Sequence, residues 1–248
     1  MSSESTYVLH RADDRGAANH GWLETRYSFS FSDWHDPSRM HFGALRVLND
    51  DELAGGGGFD MHPHDNMEIV TIPIEGGLRH KDDMGHCSVI RAGDVQVMSA
   101  GRGVMHSEFN AHAEKPVKLF QSWVFPSEKN LDPSYAQRSY SKADRRNQLR
   151  CIVEPSSVKV GAPGALKIHQ QAWYHLGDLD AGWSGEYALH GKGQGLYCFV
   201  IEGGLSVDGH DLGPRDAIGV VGSSTVQLEA LKSAAQTSVL LIEVPMHW

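Results

Sequence analysis

The sequence predicts an all-β chain built from two β-barrels, and three observations carry this prediction. Short runs that are β-branched or alternate in polarity, such as MEIVTIPI, DVQVMSA and SVLLIEV, are separated by Gly, Asp and Pro. The chain contains 27 glycines, and many short strands with turn signals are typical of sandwiches and barrels. Finally, IVTIPIEGGL at 69–78 resembles LYCFVIEGGL at 196–205, which indicates the duplication of one barrel module.

One break divides the chain. Residues 126–150 are polar and charged and lack the alternation of a strand, so we expect an exposed connection with one helical turn. The predicted organisation is a first domain at 1–130, a connecting segment at 131–150 and a second domain at 151–248.

Composition limits the function classes. The 248 residues are enough to bury a core without a metal or disulfide. The chain has 22 Lys and Arg against 31 Asp and Glu, a net charge of -9, and no basic cluster. Direct binding to nucleic acid or to membrane phosphates is therefore disfavoured. The three cysteines, Cys87, Cys151 and Cys198, are widely spaced and are expected to be reduced thiols.

The expected location is the cytoplasm. The N-terminal residues MSSESTYVLHRADDRG contain no apolar signal core. The apolar runs are far shorter than the roughly 20 residues that span a bilayer. The sequence therefore favours a soluble protein of the cell interior.

Two pairs of side chains have the spacing of a metal site. His62 and His64 lie in GGGGFDMHPHDNMEIV, and His106 and Glu108 lie in SAGRGVMHSEFN. Residues two apart in a strand point to the same face, so each pair can present both side chains to a barrel interior. A single H-x-H is more often a polar sheet edge, but the second pair, preceded by a glycine-rich turn, favours a site with three imidazoles and one carboxylate.

This donor set suits a divalent transition metal. Imidazole and carboxylate favour iron, copper, zinc, nickel or manganese, and no cysteine marks a structural zinc site. Four protein ligands leave positions open on a five- or six-coordinate ion, which favours iron and dioxygen chemistry. The remaining histidines lack a comparable partner and are assigned to the surface or core: His10, His20, His35, His41, His80, His86, His112, His169, His175, His190, His210 and His247.

Glu68 has three alternative roles at this stage. On an unbroken strand it shares a face with His62 and His64. It is then a further ligand, a base that contacts the ligands, or a charge that faces solvent. We favour the second of these roles.

These residues resemble the two motifs of the cupin superfamily. The matching positions are Gly56, His62, His64 and Glu68, followed by Gly103, His106 and Asn110. Gly101 replaces the proline usual before the second histidine, and the GD pair at 93 is displaced by two residues. The resemblance is closer to the pirin family, bicupin proteins that include bacterial quercetin 2,3-dioxygenases. It rests on residues 15–51, 62–85, 93–110 and 135–138, whereas the second half matches only in general pattern.

The resemblance implies two cupin barrels (double-stranded β-helix, or jelly-roll, folds) with one metal site. The ion would be held by His62, His64, His106 and Glu108, with Glu68 outside the ligand set. Aligning Glu202 on Glu75 and Asp216 on Asp94 predicts a second barrel without metal ligands, because apolar or small residues fall at the four ligand positions: Leu189, Gly191, Leu228 and Ala230.

The expected activity, as the resemblance implies, is that of a dioxygenase. The enzyme would open the central ring of a flavonol such as quercetin with dioxygen and release carbon monoxide, using one divalent metal, iron first. Glu108 is the candidate catalytic base for the substrate hydroxyl.

Two alternatives stay open. One is a metal-dependent, redox-sensing regulatory protein that acts through protein partners, as eukaryotic pirins are described. The other is a metal enzyme for a different small molecule, because cupins host many chemistries.

Overall fold

The computed structural model describes residues 5–248. These residues form 22 strands and two short 3-10 helices, Ala12–Asp14 and Lys142–Arg145. Among them is no helix of the length and apolar character needed to cross a membrane.

The strands of the first half are β1 (Thr6–His10), β2 (Gly16–Asn19), β3 (Leu23–Tyr27), β4 (Leu45–Leu53), β5 (Gly58–His64), β6 (Glu68–Glu75), β7 (Gly77–Asp82), β8 (Cys87–Arg91), β9 (Asp94–Ser99), β10 (Val104–Asn110), β11 (Val117–Val124) and β12 (Ser134–Ser139). Those of the second half are β13 (Arg150–Pro155), β14 (Leu166–Ile168), β15 (Trp173–Asp180), β16 (Ser184–Ala188), β17 (Gln194–Glu202), β18 (Leu205–Val207), β19 (His210–Leu212), β20 (Ala217–Val221), β21 (Thr225–Ala230) and β22 (Gln236–Pro245).

The strands form two barrels of matching construction. In the first, a four-stranded sheet (β5-β10-β7-β8) faces a seven-stranded sheet (β12-β9-β6-β11-β4-β3-β2). In the second, β16-β21-β18-β19 faces β1-β20-β17-β22-β15-β13-β14. The repeated segments IVTIPIEGGL and LYCFVIEGGL form β6 and β17, which occupy equivalent places between β9 and β11 and between β20 and β22. The predicted all-β, two-barrel fold is confirmed.

Two strands cross the predicted domain boundaries. β1, from the beginning of the chain, pairs with β20 of the second barrel. β12 falls in the predicted connection but pairs with β9 of the first barrel. Its sequence SYAQRS has no buried face, because all six residues are exposed or half-buried, so it shows no alternation of polarity. The helical turn predicted in the same segment is the 3-10 helix Lys142–Arg145.

The two seven-stranded sheets pack against each other through one apolar cluster that joins the barrels. Phe120 of β11 meets Phe199 of β17 edge to face, with ring centroids 5.2 Å apart. Beside them the Ser122 hydroxyl donates a hydrogen bond to the Tyr174 hydroxyl across the sheets, at 3.0 Å. Apolar burial of this kind stabilises the contact between the halves by about 25 cal/mol per Å².

The interiors of the two barrels differ. The second barrel is filled by a single apolar cluster that includes Leu179, Cys198, Leu228 and Leu241. The first barrel has two separate clusters, one around Leu53, Leu78 and Leu119 and the other around Ile69, Met98 and Val104. The space between these two clusters is occupied by polar side chains.

We expect Phe199→Ala to destabilise the protein by about 3–5 kcal/mol, because it leaves a cavity in the contact between the sheets. The measurement is the free energy of unfolding from urea titration. Val160→Ala is the control, since Val160 is 95% exposed, and its effect should stay within about 0.5 kcal/mol. Equal stability of the two variants would contradict this account of the interface.

Candidate metal centre

The structure brings the two predicted pairs together on adjacent strands. In the antiparallel pairing of β5 with β10, His62 lies opposite His106 and His64 opposite Val104. The ring centroid of His62 is 4.4 Å from that of His106 and 4.9 Å from that of His64. His64 and His106 are 4.8 Å apart by the same measure. One nitrogen from each of the three rings lies within 4.8 Å of the others, so the three rings can bind one ion.

A β-bulge next to His62 shapes the site. His106 and Glu108 are two residues apart on β10, but their partners His62 and Phe59 are three apart on β5. The extra residue turns Asp60 and Met61 outwards, where both are exposed, and brings Phe59 opposite Glu108. The freed carbonyl of Asp60 accepts a hydrogen bond from His62 Nδ1 at 2.7 Å. This bond leaves His62 Nε2 with the lone pair that a metal requires.

Glu108 is buried beside the histidines and held in place by an amide. It is 3% exposed, and burial raises the pKa of its carboxyl. Gln121 Nε2 donates to both carboxylate oxygens, at 3.0 and 3.1 Å. The Trp123 indole donates in turn to Gln121 Oε1 at 3.1 Å, which fixes the orientation of the amide. A carboxylate oxygen of Glu108 forms a second possible ligand group with His80 and His106.

His80 is the residue that the sequence reasoning left out of the site. It is fully buried, and its Nδ1 lies 3.4 Å from His106 Nδ1. Its Nε2 lies 3.3 Å from Asp82 Oδ2, which is also 2.8 Å from His86 Nδ1. One arrangement of protons gives every contact in this series a donor and an acceptor. His106 Nδ1 donates to His80 Nδ1, while His80 Nε2 and His86 Nδ1 donate to Asp82. The spacing of His80 and Asp82, two residues apart as in His106 and Glu108, is the sequence signal that could have identified it.

The side chains present fit a divalent transition metal. His106 Nε2 is buried without a hydrogen-bond partner among residues 5–248, an arrangement that costs about 1–3 kcal/mol unless a ligand satisfies it. Burial, with the neighbouring imidazoles, lowers the pKa of His106 to about 2, and burial lowers that of His64 to about 4. Both rings are therefore neutral at pH 7, the form that binds metal. Neutral imidazoles beside a carboxylate are donors for iron, copper, zinc, nickel or manganese.

Comparison with known proteins places this site in a family. The pirin family model matches residues 9–124, and a model described as the quercetinase C-terminal cupin domain matches residues 157–244. A protein of Escherichia coli K12 named quercetin 2,3-dioxygenase is 35% identical over 243 residues, covering 96% of this chain and 98% of that protein. The chain belongs to the pirin family.

Solved structures agree with this assignment. The crystal structure of YhhW from Escherichia coli has a TM-score of 0.89 and 32% identity, covering 98% of this chain and 100% of that one. A second structure, described as bacterial pirin YhhW in complex with nickel(II), has a TM-score of 0.88, 32% identity and coverage of 97% and 99%. A pirin-like protein of Caulobacter vibrioides is 38% identical over 222 residues, 90% of this chain and 94% of that protein.

Glu68 in this pirin lies outside the histidine cluster, on the other face of the sheet. Asn66 adopts a φ of 47° in the turn between β5 and β6, so the two strands are not continuous and the alternation that would align Glu68 with His64 is lost. Glu68 Oε2 instead accepts hydrogen bonds from the Ser99 hydroxyl at 2.6 Å and the His169 amide at 3.0 Å. Glu68 therefore connects the first barrel to the second half of the chain.

The second barrel repeats the scaffold of the first without its histidines. Asn110 pairs with Leu78 in the first barrel as Ala230 pairs with Leu205 in the second. Asn110 and Ala230 are therefore equivalent positions. Two residues before them, Leu228 stands at the place of Glu108, and four residues before them, Val226 stands at the place of His106. Leu228 and Val226 each lie two residues before the residue that the sequence alignment predicts for that place. The reason is that the separation from Asp94 to Asn110 is two residues longer than that from the aligned Asp216 to Ala230. Both candidate metal groups found among residues 5–248 lie in the first barrel.

A row of polar side chains crosses the inner sheet face of the first barrel at the level of Glu108. We call it the polar row; its members are directly paired across adjacent strands. They are Tyr27, Asn49, Gln121, Thr71, Gln96 and Gln137. The corresponding row of the second barrel is His175, Leu241, Cys198, Ile218 and Leu9. The polar row divides the apolar interior of the first barrel. Five of its six members lie in segments on which the family resemblance rests, and Gln121 lies outside them, but no spacing in the sequence singled out any of the six.

A cavity of about 240 Å³ opens beside the polar row. Its walls are mainly aromatic, and its floor carries polar side chains of β3 and β4. The lining residues are His20, Trp22, Leu23, Thr25, Tyr27, Phe31, Ser32, Asn49, Asp51 and Phe59. A larger cavity, of about 470 Å³, lies between the two barrels and away from the histidines.

Glu68→Ala should lower stability by about 1–3 kcal/mol and leave the metal content unchanged, because it removes an acceptor from Ser99 and His169 but no ligand. Urea unfolding and elemental analysis measure the two effects. Glu75→Ala is the control, since the Glu75 side chain is 59% exposed. Loss of metal from a folded Glu68→Ala variant would contradict the assignment of Glu68 to the contact between the barrels.

Proposed function

We propose that this chain is a metal-dependent dioxygenase that cleaves a flavonol such as quercetin with dioxygen and releases carbon monoxide. The observation that carries the proposal is the position of the His62, His64 and His106 cluster next to an aromatic-walled cavity. A metal alone is compatible with many reactions, whereas an aromatic slot beside it favours a planar phenolic substrate. The names of the family relatives support the same substrate class.

The proposed ligands are His62, His64, His106 and Glu108, with one divalent ion. Iron is our first choice, and copper, zinc, nickel and manganese fit the same donors. The three histidines provide neutral nitrogens, and Glu108 provides a negative charge that offsets part of the charge of the ion. His80 does not join this set, because its Nδ1 faces His106 Nδ1 and its Nε2 faces Asp82.

When bound, the metal acts as a Lewis acid that lowers the pKa of the substrate 3-hydroxyl. Glu108 accepts the proton of that hydroxyl, and a carboxyl in a buried site is well suited to hold it. Gln121 limits the rotation of the Glu108 carboxylate through its two hydrogen bonds. Trp22 and Phe59 offer ring surfaces to a planar substrate, and their apolar faces exclude water from the reacting ring.

We expect His62→Ala and Glu108→Ala to lose most of the bound metal, since each removes a proposed ligand. The measurements are elemental analysis of the purified proteins and the decay of quercetin absorbance after loading with each candidate metal. His112→Ala is a matched control, because His112 is an exposed histidine of the same half. Full metal retention in both variants refutes the ligand set. If wild type binds metal but consumes no quercetin with any of the five metals, flavonol cleavage is rejected.

His80→Gln is expected to weaken metal binding about tenfold to a hundredfold, because it removes the hydrogen bond that orients His106. Competition with a chelator gives the affinity, and thermal melting shows whether the variant is folded. His86→Ala is the comparison variant. The His86 side chain is 42% exposed and contacts Asp82, not His106, so its removal should weaken metal binding less than His80→Gln does. An unchanged affinity in folded His80→Gln would show that His80 does not position the ligand.

A further inference from the structure

The aromatic cavity of the first barrel is in contact with the metal centre on two sides. Phe59 lines the cavity and lies 6.1 Å from His62, measured between ring centroids. On the other side, Phe31 lies 5.3 Å from Trp123, which is itself 4.9 Å from His64. A molecule in the cavity is therefore one side chain away from the histidine cluster.

The floor of the cavity continues into the polar row. Asn49 is the direct cross-strand partner of Gln121, the residue that holds Glu108. Asp51 lies two residues further along β4, on the same face and opposite Thr25 of β3. The floor therefore runs from the carboxylate of the metal centre to the carboxyl of Asp51.

One oxygen of the buried Asp51 carboxyl lacks the hydrogen-bond partner that such a group usually has. Asp51 is 7% exposed, and its Oδ1 accepts no hydrogen bond within the described part of the chain. Asn49 is 6% exposed, and its Oδ1 is likewise without a donor there. Asp94, a comparably buried carboxyl of the same barrel, accepts from Arg91, Gln137 and Ser139. A buried carboxyl in this barrel can therefore have several hydrogen-bond donors, as Asp94 does.

The Thr25 hydroxyl, opposite Asp51 and in the same cavity, is likewise buried without a partner in the described part of the chain. The cavity therefore offers a polyphenol two acceptor oxygens and one hydroxyl. A buried polar atom without a partner costs about 1–3 kcal/mol, and the fold keeps three of them in this cavity. Burial raises the pKa of Asp51 to about 7; the nearby Thr25 hydroxyl opposes this rise, and the charges of Asp50 and Glu108 add to it. Near neutral pH the carboxyl is therefore able to donate as well as accept, as is useful for binding a phenol.

We propose that Asp51 and Asn49 are specificity-determining residues, which bind hydroxyl groups on the end of a planar polyphenol that lies away from the metal. This inference rests on the proposed flavonol-cleaving function and adds a requirement to it. The substrate should carry hydroxyls at both ends: one for the metal and Glu108, and at least one other for Asp51 and Asn49. The aromatic walls between these ends hold the planar rings.

The test compares two flavonols that differ only at the remote positions. Quercetin carries several hydroxyls, whereas 3-hydroxyflavone keeps the 3-hydroxyl and the adjacent carbonyl but lacks the others. Their dissociation constants are measured from changes in flavonol absorbance on metal-loaded protein without dioxygen, so that no turnover occurs. We expect wild type to bind quercetin at least about tenfold more tightly, the effect of roughly one hydrogen bond to a buried group.

Asp51→Leu should abolish the preference for quercetin and leave the affinity for 3-hydroxyflavone within about twofold. Asp51→Asn keeps the shape and a polar end, so it should retain most of the preference. Glu52→Leu is the control on the same strand, because Glu52 is exposed on the opposite side of β4, and it should behave as wild type. Metal content, measured in parallel, should be equal in all four proteins.

Three results would overturn the inference. A quercetin preference that persists in Asp51→Leu shows that Asp51 does not select the substrate. Equal weakening of both flavonols in that variant shows a structural role only. Failure of metal-loaded wild type to bind either flavonol rejects the proposed function and this inference with it, whereas the first two results leave the function standing.

Discussion

The cost of burying polar groups without partners is the constraint on which the rest of this structure depends. In the first barrel, the polar row and the histidine cluster lie between two separate apolar clusters. Most of the buried polar atoms there are satisfied by neighbours, as Glu108 is by Gln121. Among residues 5–248, His106 Nε2 at the metal centre has no hydrogen-bond partner, and neither do three atoms of the cavity: Thr25 Oγ1, Asn49 Oδ1 and Asp51 Oδ1.

The second barrel shows what the same scaffold does without this constraint. Its strands occupy equivalent places, and Leu241 and Cys198 stand where the first barrel has Gln121 and Thr71. A single apolar cluster then fills the interior. Because both barrels fold with the same topology, the histidines and the polar row are not requirements of the fold. The second barrel contributes stability through the packing of the two seven-stranded sheets, which also fixes the sheet that carries the polar row.

The metal centre depends on local irregularities as well as on regular strands. The bulge in β5 brings Phe59 to the interior and presents the Asp60 carbonyl to His62. The turn at Asn66 reverses the direction in which Glu68 points. Each effect moves a side chain to the other face of a strand, since the side-chain period of a strand is two and a shift by one residue inverts it. The spacing of two residues in the sequence therefore predicts whether their side chains share a face only when both lie in one unbroken strand.

The all-β class and the duplication follow from the sequence, because each depends on periodicity or repetition over a few residues. For the same reason the sequence predicts the pairs His62 with His64 and His106 with Glu108. It did not reveal β12, whose edge position leaves no buried face to produce a pattern, nor the role of His80. It could not predict the polar row either, since Asn49, Gln121, Thr71 and Gln96 come from four different strands. Which of these polar residues meet across the sheet is visible only in the folded barrel, because the register between strands is set by the packing of the whole barrel and not by the residues nearest in the chain.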